Sequence, residues 1–511
     1  GPCGAAAWAL VRRNAPASGS ASPSFDIDVC DLDGTVCVRM RGYRPKAPPA
    51  SFGAAPAQGA NLMLVPAWEP VAPSPVPAPA PSARTLIVGS LAGGARVLRE
   101  RFPEAGKLPV RVGAGVDELA EALRRAGPIE HLVWAVPASA YRSMSDEALI
   151  EDQEQGVVFG LRLVQALLQL DYGARPLKWT VVTTQVCATR RNEPVAPGHA
   201  SIHGLIGAMA KELPDWEVRL ADVEANQAWP LDALLALPAD PEGSPWAFRQ
   251  GRWYRQQLVP TEAALDQDGI DLAEPYRHGG VYVVIGGAGG IGQAWSEFVA
   301  QRYQANIVWI GRTPADAAIE QKLDAVARRG PRPLYIAADA RDRADLERAY
   351  RLIKARFPAI HGVVHSAIVL QDQSLATMSE QRLRAALSSK VDVSVRMAQV
   401  FGAEALDFAM FFSSIAAFTR VAGQSNYAAG CVFKDTFAHQ LRQEWDCEVK
   451  VMNWGYWGTL GIAATPERTE RMAREGIGSI RPDQAMDALT VLLSSAPDQM
   501  AFLTLAEAGE P

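Results

Sequence analysis

The stretch VYVVIGGAGGIGQAW, residues 281–295, joins a short apolar run to a glycine-rich turn and then to a helical pattern. Strands buried in parallel sheets are near-continuous apolar runs, as VYVVI is. The glycines permit a tight turn and a close approach of the backbone to a pyrophosphate, which the following helix N-terminus stabilises. The next β-branched run, NIVWIG at 306–311, follows at the distance expected in a dinucleotide-binding βαβ unit. This order predicts a nucleotide site, and a turn that binds nothing is the alternative.

The nucleotide-facing positions of this turn are predicted to be Gly286, Gly287, Gly289, Gly290, Ile291 and Gly292. Arg312 ends the next predicted strand, where NAD-binding proteins usually carry Asp or Glu for the ribose 2′-hydroxyl. A cation there suits the 2′-phosphate, so we predict NADPH as the cofactor; an exposed loop arginine is the alternative. Asp339, with Ala340 beside it, follows the next strand, and we assign both to the adenine end of the cofactor.

From Arg84 onward, short apolar strands alternate with helical stretches, which indicates βαβ units and a parallel sheet. The same order occurs twice. VYVVIGG corresponds to TLIVGS at 85–90, and DFAMFFSSI at 407–415 corresponds to KWTVVTTQ at 178–185. We therefore predict an α/β fold with two Rossmann-like halves. The first half has only GSLAGGA in place of the full glycine pattern, so we expect it to be structural.

Changes in composition divide the chain into four predicted segments. Residues 1–44 contain a β-hairpin, and residues 45–84 form a Pro/Ala-rich linker with one strand. Residues 85–275 form the structural Rossmann-like half, and residues 276–511 form the NADPH-binding catalytic half. Because the first residue is Gly1 rather than Met, we expect a segment of a longer polypeptide.

Composition argues against several classes of protein. The formal net charge is −6 and no run of Lys or Arg stands out, which argues against a nucleic-acid surface. No stretch approaches the roughly 20 apolar residues of a membrane span. The six cysteines are scattered without CxxC spacing, so neither a zinc site nor a disulfide framework is indicated. Reduced thiols predict a cytoplasmic protein.

Residues 31–35, DLDGT, resemble the opening motif of phosphatases of the haloacid dehalogenase family, in which the first Asp is the nucleophile and the second the general acid. Apolar residues alternate on both sides of the motif, which favours a β-hairpin. A Pro/Ala-rich linker follows in place of a Rossmann-like domain, and no later acidic cluster stands out as completing a Mg²⁺ site. We favour the hairpin and keep the phosphatase as a distant alternative.

Three polar residues lie near the predicted sheet edge. Ser414 ends the strand FAMFFSS, at the carboxyl edge where parallel α/β folds build their sites. Tyr427 opens a predicted helix thirteen residues later. Lys390 lies beside the apolar stripe of a helix predicted over residues 379–399, where a buried cation needs a partner or a function. Each residue alone is more often structural than catalytic.

Together, beside a nucleotide fold, these three residues fit the reduction of a carbonyl group. The ketone oxygen gains negative charge as hydride arrives from a nicotinamide. A tyrosine hydroxyl can donate the proton, although its free pKa of ~10 is poorly suited to neutral pH. A nearby lysine cation lowers that pKa, and a serine hydroxyl orients the carbonyl.

The motifs IGGAGGIG, Lys390, FFSS with Ser414, and GQSNYAAG with Tyr427 resemble the ketoreductase domain of modular polyketide synthases, a branch of the short-chain dehydrogenases. The resemblance covers about residues 62–511. It implies a truncated structural half followed by a catalytic half. It also implies NADPH-dependent reduction of a β-ketoacyl thioester, with Tyr427 protonating the oxygen, Lys390 tuning Tyr427 and Ser414 holding the carbonyl.

The same resemblance implies the partners. The substrate is expected on the phosphopantetheine arm of an acyl carrier protein, and the other domains of the same synthase are expected as neighbours. Neither a nucleic acid nor a membrane is expected. The opening hairpin resembles the tail of the dehydratase domain that often precedes a ketoreductase. YAAGCVFKD and VMNWGYWG look like synthases that use a separate acyltransferase, the trans-acyltransferase type.

One residue departs from the family pattern. Cys431 stands four residues after Tyr427, where the family commonly has Asn. A thiol cannot supply the hydrogen bonds of an amide. Because Lys390 occupies the alternative lysine position of the family, we still expect activity. A catalytically silent, ketoreductase-like structural domain is the alternative.

The resemblance also implies a stereochemical class. Asp372 matches the last Asp of the family's Leu-Asp-Asp motif, although Gln371 replaces the first, and Thr419 stands where the opposite class has Trp. Both imply the B-type, which gives a D-configured β-hydroxyl; a plain loop acid is the alternative for Asp372. Ala429 implies that an α-substituent is not inverted. Trp454 is assigned to the substrate region with these residues.

Overall fold

The computed structural model describes residues 8–13, 25–30, 36–43, 59–77, 84–89, 94–108, 111, 113–261, 274–461 and 464–506. The chain divides into two units, Gly1–Gln58 and Gly59–Pro511.

The first unit contains a three-stranded sheet in the order β1 (Trp8–Arg13), β2 (Phe25–Cys30) and β3 (Val36–Tyr43). β2 and β3 pair antiparallel, as expected for the two strands of a hairpin. Asp28 of β2 is buried and accepts a hydrogen bond from Arg39 of β3 at 3.0 Å. The turn DLDGT at 31–35 lies outside the described residues.

The strands of the second unit are β4 (Asn61–Pro70), β5 (Thr85–Gly89), β6 (Gly106–Lys107), β7 (His131–Ala135), β8 (Leu177–Thr184), β9 (Trp216–Val223), β10 (Trp246–Arg249), β11 (Arg252–Pro260), β12 (Val281–Ile285), β13 (Asn306–Gly311), β14 (Leu334–Ala337), β15 (Gly362–His365), β16 (Phe408–Ser414), β17 (Glu448–Trp454), β18 (Ile477–Gly478) and β19 (Gln499–Leu505). Its helices are α1 (Ala95–Arg101), α2 (Val116–Ala126), α3 (Ala148–Gln153), α4 (Phe159–Gln169), α5 (Ser201–Glu212), α6 (Leu231–Leu235), α7 (Gly290–Tyr303), α8 (Ala317–Ala327), α9 (Arg343–Arg356), α10 (Glu380–Ser388), α11 (Val391–Phe401), α12 (Ala416–Thr419), α13 (Ser425–Leu441), α14 (Pro466–Arg474) and α15 (Pro482–Ser494). A π-helical turn, Glu154–Val158, joins α3 to α4.

The two predicted Rossmann-like halves share one mixed sheet. In the second half the order is β14-β13-β12-β15-β16-β17-β19, and all neighbours are parallel. In the first half the order β10-β9-β8-β7-β5-β6 is also parallel. Among the described residues the first half has no counterpart of β14. The α/β fold predicted from the alternating apolar runs is confirmed.

β4 lies between the two halves. It pairs antiparallel with β19, with Met63 opposite Phe502, and antiparallel with β11, with Trp68 opposite Gln256. These ladders make the sheet continuous from one half to the other. The sequence predicted a strand inside the Pro/Ala-rich segment, but it did not predict where that strand would pair.

Helices α5 and α13 also join the halves. A Cβ on Gly204 of α5 would lie 2.3 Å from the backbone nitrogen of Ala429 of α13, so the two helices can approach this closely only because residue 204 is glycine. Leu205, Phe433 and Phe437 are buried in the large apolar core that both halves contribute to. The helix that carries Tyr427 is therefore fixed against the structural half.

The prediction of a single helix over residues 379–399 is wrong, because the structure has two helices there, α10 and α11. The apolar positions Leu383 and Val391 are buried as the periodicity predicted. The break falls at Ser389 and Lys390, where the hydroxyl of Ser389 donates to the carbonyl of Ala386 at 2.8 Å. Such local side-chain bonds compete with the helical ladder. Lys390 consequently lies in a junction rather than within a helix.

Four of the described cysteines are free thiols: Cys30, Cys187, Cys431 and Cys447. Within the described ranges, every helix is too short or too polar to span a bilayer. In the same ranges, no group of three or more His, Cys, Asp and Glu side chains is placed to hold a metal ion.

Candidate active site

The candidate site lies at the carboxyl ends of β12, β15, β16 and β17, the edge where parallel α/β sheets bind ligands. Ser414 is the last residue of β16 and pairs with Trp454 at the end of β17. The Ser414 hydroxyl accepts a hydrogen bond from the amide of Ala416 at 3.2 Å and donates to the carbonyl of Trp454 at 3.4 Å. The backbone therefore fixes this hydroxyl at the sheet edge.

Lys390 and Tyr427 are brought together, as predicted. The Lys390 ammonium lies 4.1 Å from the centroid of the Tyr427 ring. Lys390 is 2% exposed, and its Nζ has no hydrogen-bond partner among the described residues. A Cβ on Gly430 would lie 2.6 Å from Lys390 Cδ, so Gly430 leaves the space through which the lysine reaches the tyrosine. A buried ammonium without an acceptor is unfavourable, so this nitrogen is ready to donate to a ligand oxygen.

Burial, more than any neighbouring charge, keeps the proton on Tyr427. Burial raises the pKa of Tyr427 well above its usual value, and Cys431 acts in the same direction, whereas a hydrogen bond with Ser414 opposes both. Burial lowers the pKa of Lys390, and the nearby acidic groups of Cys431, Asp372 and Asp435 oppose that shift. Tyr427 is consequently protonated at neutral pH in the protein without ligands.

Two loops meet beside Tyr427. Asp372, in the loop after β15, accepts a hydrogen bond from the side-chain amide of Gln424 at 2.7 Å. Asn426 donates to the carbonyl of Gln371 at 2.9 Å, and its own side-chain oxygen accepts the amide of Tyr427 at 2.8 Å. The predicted stereocontrol residue Asp372 is thereby held next to the start of the helix that carries Tyr427.

The two other predicted substrate residues lie in different surroundings. Thr419 ends α12 and is exposed. Trp454 is buried, with its ring 5.7 Å from that of Phe412 and 5.3 Å from that of Trp457. The indole belongs to the core, so the assignment of Trp454 to the substrate region does not match its environment. Its backbone carbonyl, which accepts from Ser414, is the part that reaches the site.

The glycine turn has no room for side chains. Gly286 has a φ of +87°, a conformation that favours glycine. A Cβ on Gly287 would lie 2.2 Å from the ring of Trp309, and a Cβ on Gly292 would lie 2.9 Å from the Cα of Gly287. The tight turn that the sequence predicts is therefore present, with bare backbone where a pyrophosphate would approach.

Helix α7 begins directly after this turn. Gly289 occupies the N-cap position with extended backbone and no side-chain cap. Ile291, in the first turn of α7, packs against the apolar core of the catalytic half, which includes Trp295. A Cβ on Gly290 would lie 2.6 Å from the backbone nitrogen of Gly461, so the segment after β17 contacts the turn. An uncapped helix N-terminus carries the partial positive charge that stabilises phosphate.

The adenine-end residues lie after the parallel strands β13 and β14. Arg312 is exposed at the end of β13. Asp339 accepts hydrogen bonds from Arg341, with Nε to Oδ1 at 2.9 Å and Nη2 to Oδ2 at 2.6 Å. These bonds lower the pKa of Asp339, and the charge of Arg312 contributes a smaller part. The side chain of Ala340 is buried in the apolar core, so Arg312 and Asp339 are the polar members of this corner.

Sequence reasoning missed a second buried lysine. Lys434 lies seven residues after Tyr427 on α13, and its Nζ donates to the carbonyl of Phe412 at 3.0 Å and lies 3.2 Å from Nδ1 of His365. Burial lowers the pKa values of both Lys434 and His365 well below their usual values. The spacing i, i+4, i+7 of Tyr427, Cys431 and Lys434 is the signal that places Lys434 on the same helix face.

Comparison with known proteins agrees with this geometry. The family model for the KR domain matches residues 280–459. Polyketide synthase PksN of Bacillus subtilis (strain 168) is 44% identical over 492 residues, covering 94% of this chain and 9% of that protein. Polyketide synthase PksM of the same organism is 42% identical over 510 residues, covering 98% of this chain and 12% of that protein. A solved A1-type ketoreductase is 25% identical with a TM-score of 0.72, covering 87% of this chain and 93% of that chain. The chain thus spans about a tenth of the length of these two synthases.

Proposed function

The chain belongs to the ketoreductase domains of modular polyketide synthases, and from this premise we propose that it is an NADPH-dependent β-ketoacyl thioester reductase. Domains of this family use a nicotinamide cofactor to reduce the β-keto groups of polyketide intermediates. The observation that carries the proposal is the Lys390 ammonium, which lies 4.1 Å from the ring centroid of Tyr427 at the same sheet edge as Ser414.

The reaction divides among three side chains. When bound, NADPH supplies the hydride that adds to the β-carbon. The Ser414 hydroxyl turns its proton from the carbonyl of Trp454 to the ketone oxygen and holds that oxygen beside Tyr427. As negative charge develops on that oxygen, Tyr427 donates its proton to it, and the Lys390 cation stabilises the phenolate that remains. Because burial raises the pKa of Tyr427, the proton to be donated is present when the substrate arrives.

The described residues fit a dinucleotide carrying a 2′-phosphate. The side-chain-free backbone at Gly287 and Gly292, followed by the uncapped start of α7, suits the pyrophosphate. Arg312 at the end of β13 offers an exposed guanidinium to the 2′-phosphate, which is the support for NADPH over NADH. The unpartnered Nζ of Lys390 supplies a buried donor at the nicotinamide end.

The proposed product is the B-type, D-configured β-hydroxyacyl thioester. Two residues support this class: Asp372, which accepts a hydrogen bond from Gln424 at 2.7 Å, and Thr419, which stands where the opposite class has Trp. Ala429 supports a product in which the α-centre is not inverted. We propose that the substrate arrives on the phosphopantetheine arm of an acyl carrier protein within a larger synthase. A cytoplasmic location accords with the free thiols of Cys187, Cys431 and Cys447.

The test follows NADPH absorbance with a short β-ketoacyl thioester, comparing this chain with Tyr427→Phe. Removal of a general acid lowers turnover by about 10²- to 10⁴-fold, whereas NADPH affinity, measured by cofactor fluorescence, stays unchanged because the phenyl ring remains. Chiral chromatography of the product should give the D-hydroxy acid, and the L-isomer would overturn the B-type proposal.

The alternative is a catalytically silent structural domain. It takes over if the chain leaves NADPH unconsumed with the free thioester and also with carrier-bound substrate. Cys431→Asn then tests the cause, because turnover gained in that variant would assign the silence to the missing amide. A full rate in Tyr427→Phe would contradict the assigned role of Tyr427.

A further inference from the structure

Helix α5 of the structural half ends beside the active site. Glu212, its last residue, accepts the amide of Leu375 at 2.7 Å on one carboxylate oxygen and the amide of Gly423 at 2.9 Å on the other. These amides belong to two loops of the catalytic half, the first entrance loop (residues 366–379) and the second entrance loop (residues 420–424). One carboxylate from the structural half thus fastens both loops that lie beside Tyr427.

Neighbouring residues of the structural half hold the same two loops. The side-chain amide of Gln165 donates to two carbonyls of the first entrance loop, at 3.0 and 2.7 Å. Lys211 donates to the carbonyl of Thr419 at 2.6 Å, directly before the second entrance loop. Arg420 is buried against α5, where a Cβ on Gly207 would lie 2.0 Å from its Cδ. Both entrance loops are therefore anchored on the half that lacks the proposed catalytic residues.

The position of Glu212 in its own helix is unfavourable. The C-terminal end of a helix carries partial negative charge, so a carboxylate is disfavoured there and a cation such as Lys211 is favoured. The two amide partners of Glu212 compensate for this arrangement. Because replacing Glu212 by a neutral residue improves the electrostatics of α5, a loss seen on replacement reports on the loops rather than on the helix.

We propose that Glu212 is a positioning residue that sets the spacing of the two entrance loops and thereby orients the acyl chain over the Tyr427 hydroxyl. The inference rests on the proposed function. The loops meet where Gln424 donates to Asp372 at 2.7 Å, so a change in their spacing moves Asp372 relative to Tyr427. Glu212 contacts backbone amides in both loops and takes no part in the transfer of hydride or proton.

The first test measures amide hydrogen exchange in the unliganded protein. In Glu212→Ala, peptides that cover both entrance loops should exchange faster, whereas peptides from β12 should not change. Glu212→Gln keeps one acceptor oxygen and should give an intermediate result, which also serves if the alanine variant fails to fold. Glu118→Gln is the matched control, because Glu118 pairs at 2.9 Å with Arg111 on the exposed surface of the same half. Unchanged exchange in both loops overturns the positioning role.

The second test measures turnover. Glu212→Ala should raise KM for the thioester about tenfold, which corresponds to about 1.4 kcal/mol, because the acyl chain then meets two loops whose spacing is no longer fixed. Optical purity of the product should also fall, whereas kcat and NADPH affinity stay close to wild type because Ser414, Tyr427 and Lys390 are untouched. If hydrogen exchange in the loops becomes faster but the KM for the thioester and the optical purity of the product do not change, Glu212 does not orient the substrate. If the wild-type chain shows no turnover, the proposed function is refuted and the role of Glu212 in substrate orientation is refuted with it. Hydrogen exchange would then still test whether Glu212 holds the two loops.

Discussion

An alanine at position 430 would push Lys390 away from Tyr427. The added Cβ would lie 2.6 Å from Lys390 Cδ, whereas carbon atoms in contact stay roughly 3.5–4.0 Å apart. Lys390 therefore has to move by about 1 Å. Because Lys390 is 2% exposed, its side chain cannot swing out to solvent, and the shift displaces the ammonium from its place beside the Tyr427 ring.

The effect on activity should far exceed the effect on stability. Overpacking a core costs about 1–3 kcal/mol, and alanine is a better helix former than glycine by about 1 kcal/mol. The free energy of unfolding should therefore fall by no more than about 2 kcal/mol. A catalytic group displaced by about 1 Å can lower the rate roughly 10²-fold. We expect a folded protein that reduces the thioester about a hundred times more slowly.

Urea unfolding and NADPH consumption, measured on the same preparations, separate the two effects. Gly160→Ala is the matched control, because a Cβ there would lie 2.9 Å from the side chains of Leu205 and Trp134 in the structural half. It should lose similar stability and keep its turnover. If Gly430→Ala keeps turnover within about threefold of wild type, a difference below 1 kcal/mol in activation free energy, the position of Lys390 does not sustain the reaction and the reasoning fails.

Two further predictions concern the buried carboxyl of Asp435 and the proposed 2′-phosphate contact. Burial raises the pKa of Asp435 from its usual 3.8 to about 7. Between these two values the folded state binds more protons than the unfolded state, so the free energy of unfolding falls as the pH rises from 3.8 to about 7. Asp435→Asn removes this dependence, and urea unfolding should show the variant gaining on wild type from about pH 4 to pH 7; a difference that does not vary with pH would contradict the shift. Arg312→Ala should raise KM for NADPH about 10- to 100-fold, as for a lost charged hydrogen bond, and leave KM for NADH unchanged. Equal effects on both cofactors would remove the support for the 2′-phosphate contact.

Local patterns in the sequence were sufficient to predict most of the second unit. VYVVI and FAMFFSS are short apolar runs rich in β-branched or aromatic residues, which favours buried strands, and both are strands of the sheet. Ser414 and Tyr427 lie at a strand end and a helix start, which are positions that a single sequence reveals. The pairing of β4 was not predictable in this way, because its partners lie at distant places in the chain and the local sequence carries no information about them.

The misassigned residues show what a pattern leaves out. Buried apolar positions such as Leu387 and Val391 keep a helical spacing on both sides of Ser389, so the sequence pattern gave no sign of the break between α10 and α11. Trp454 was assigned to the substrate region from the sequence alone, and a sequence position does not give the direction of the ring. Lys434 was not singled out from the sequence, because its burial depends on contacts with His365 of β15 and Phe412 of β16, which lie far from it in the chain.

The first and last strands of the second unit bring Gly59 and Ala506, its first and last described residues, together. The amide of Gly59 donates to the carbonyl of Ala506 at 3.3 Å, and the amide of Leu505 donates to the carbonyl of Ala60 at 2.9 Å. A short glycine and serine linker from Ala506 to Gly59 can therefore close this part of the chain into a ring, and new ends can be opened at an exposed turn to give a circular permutant. The same closeness allows the unit to be grafted into a surface loop of a host protein without forcing the two sides of that loop apart.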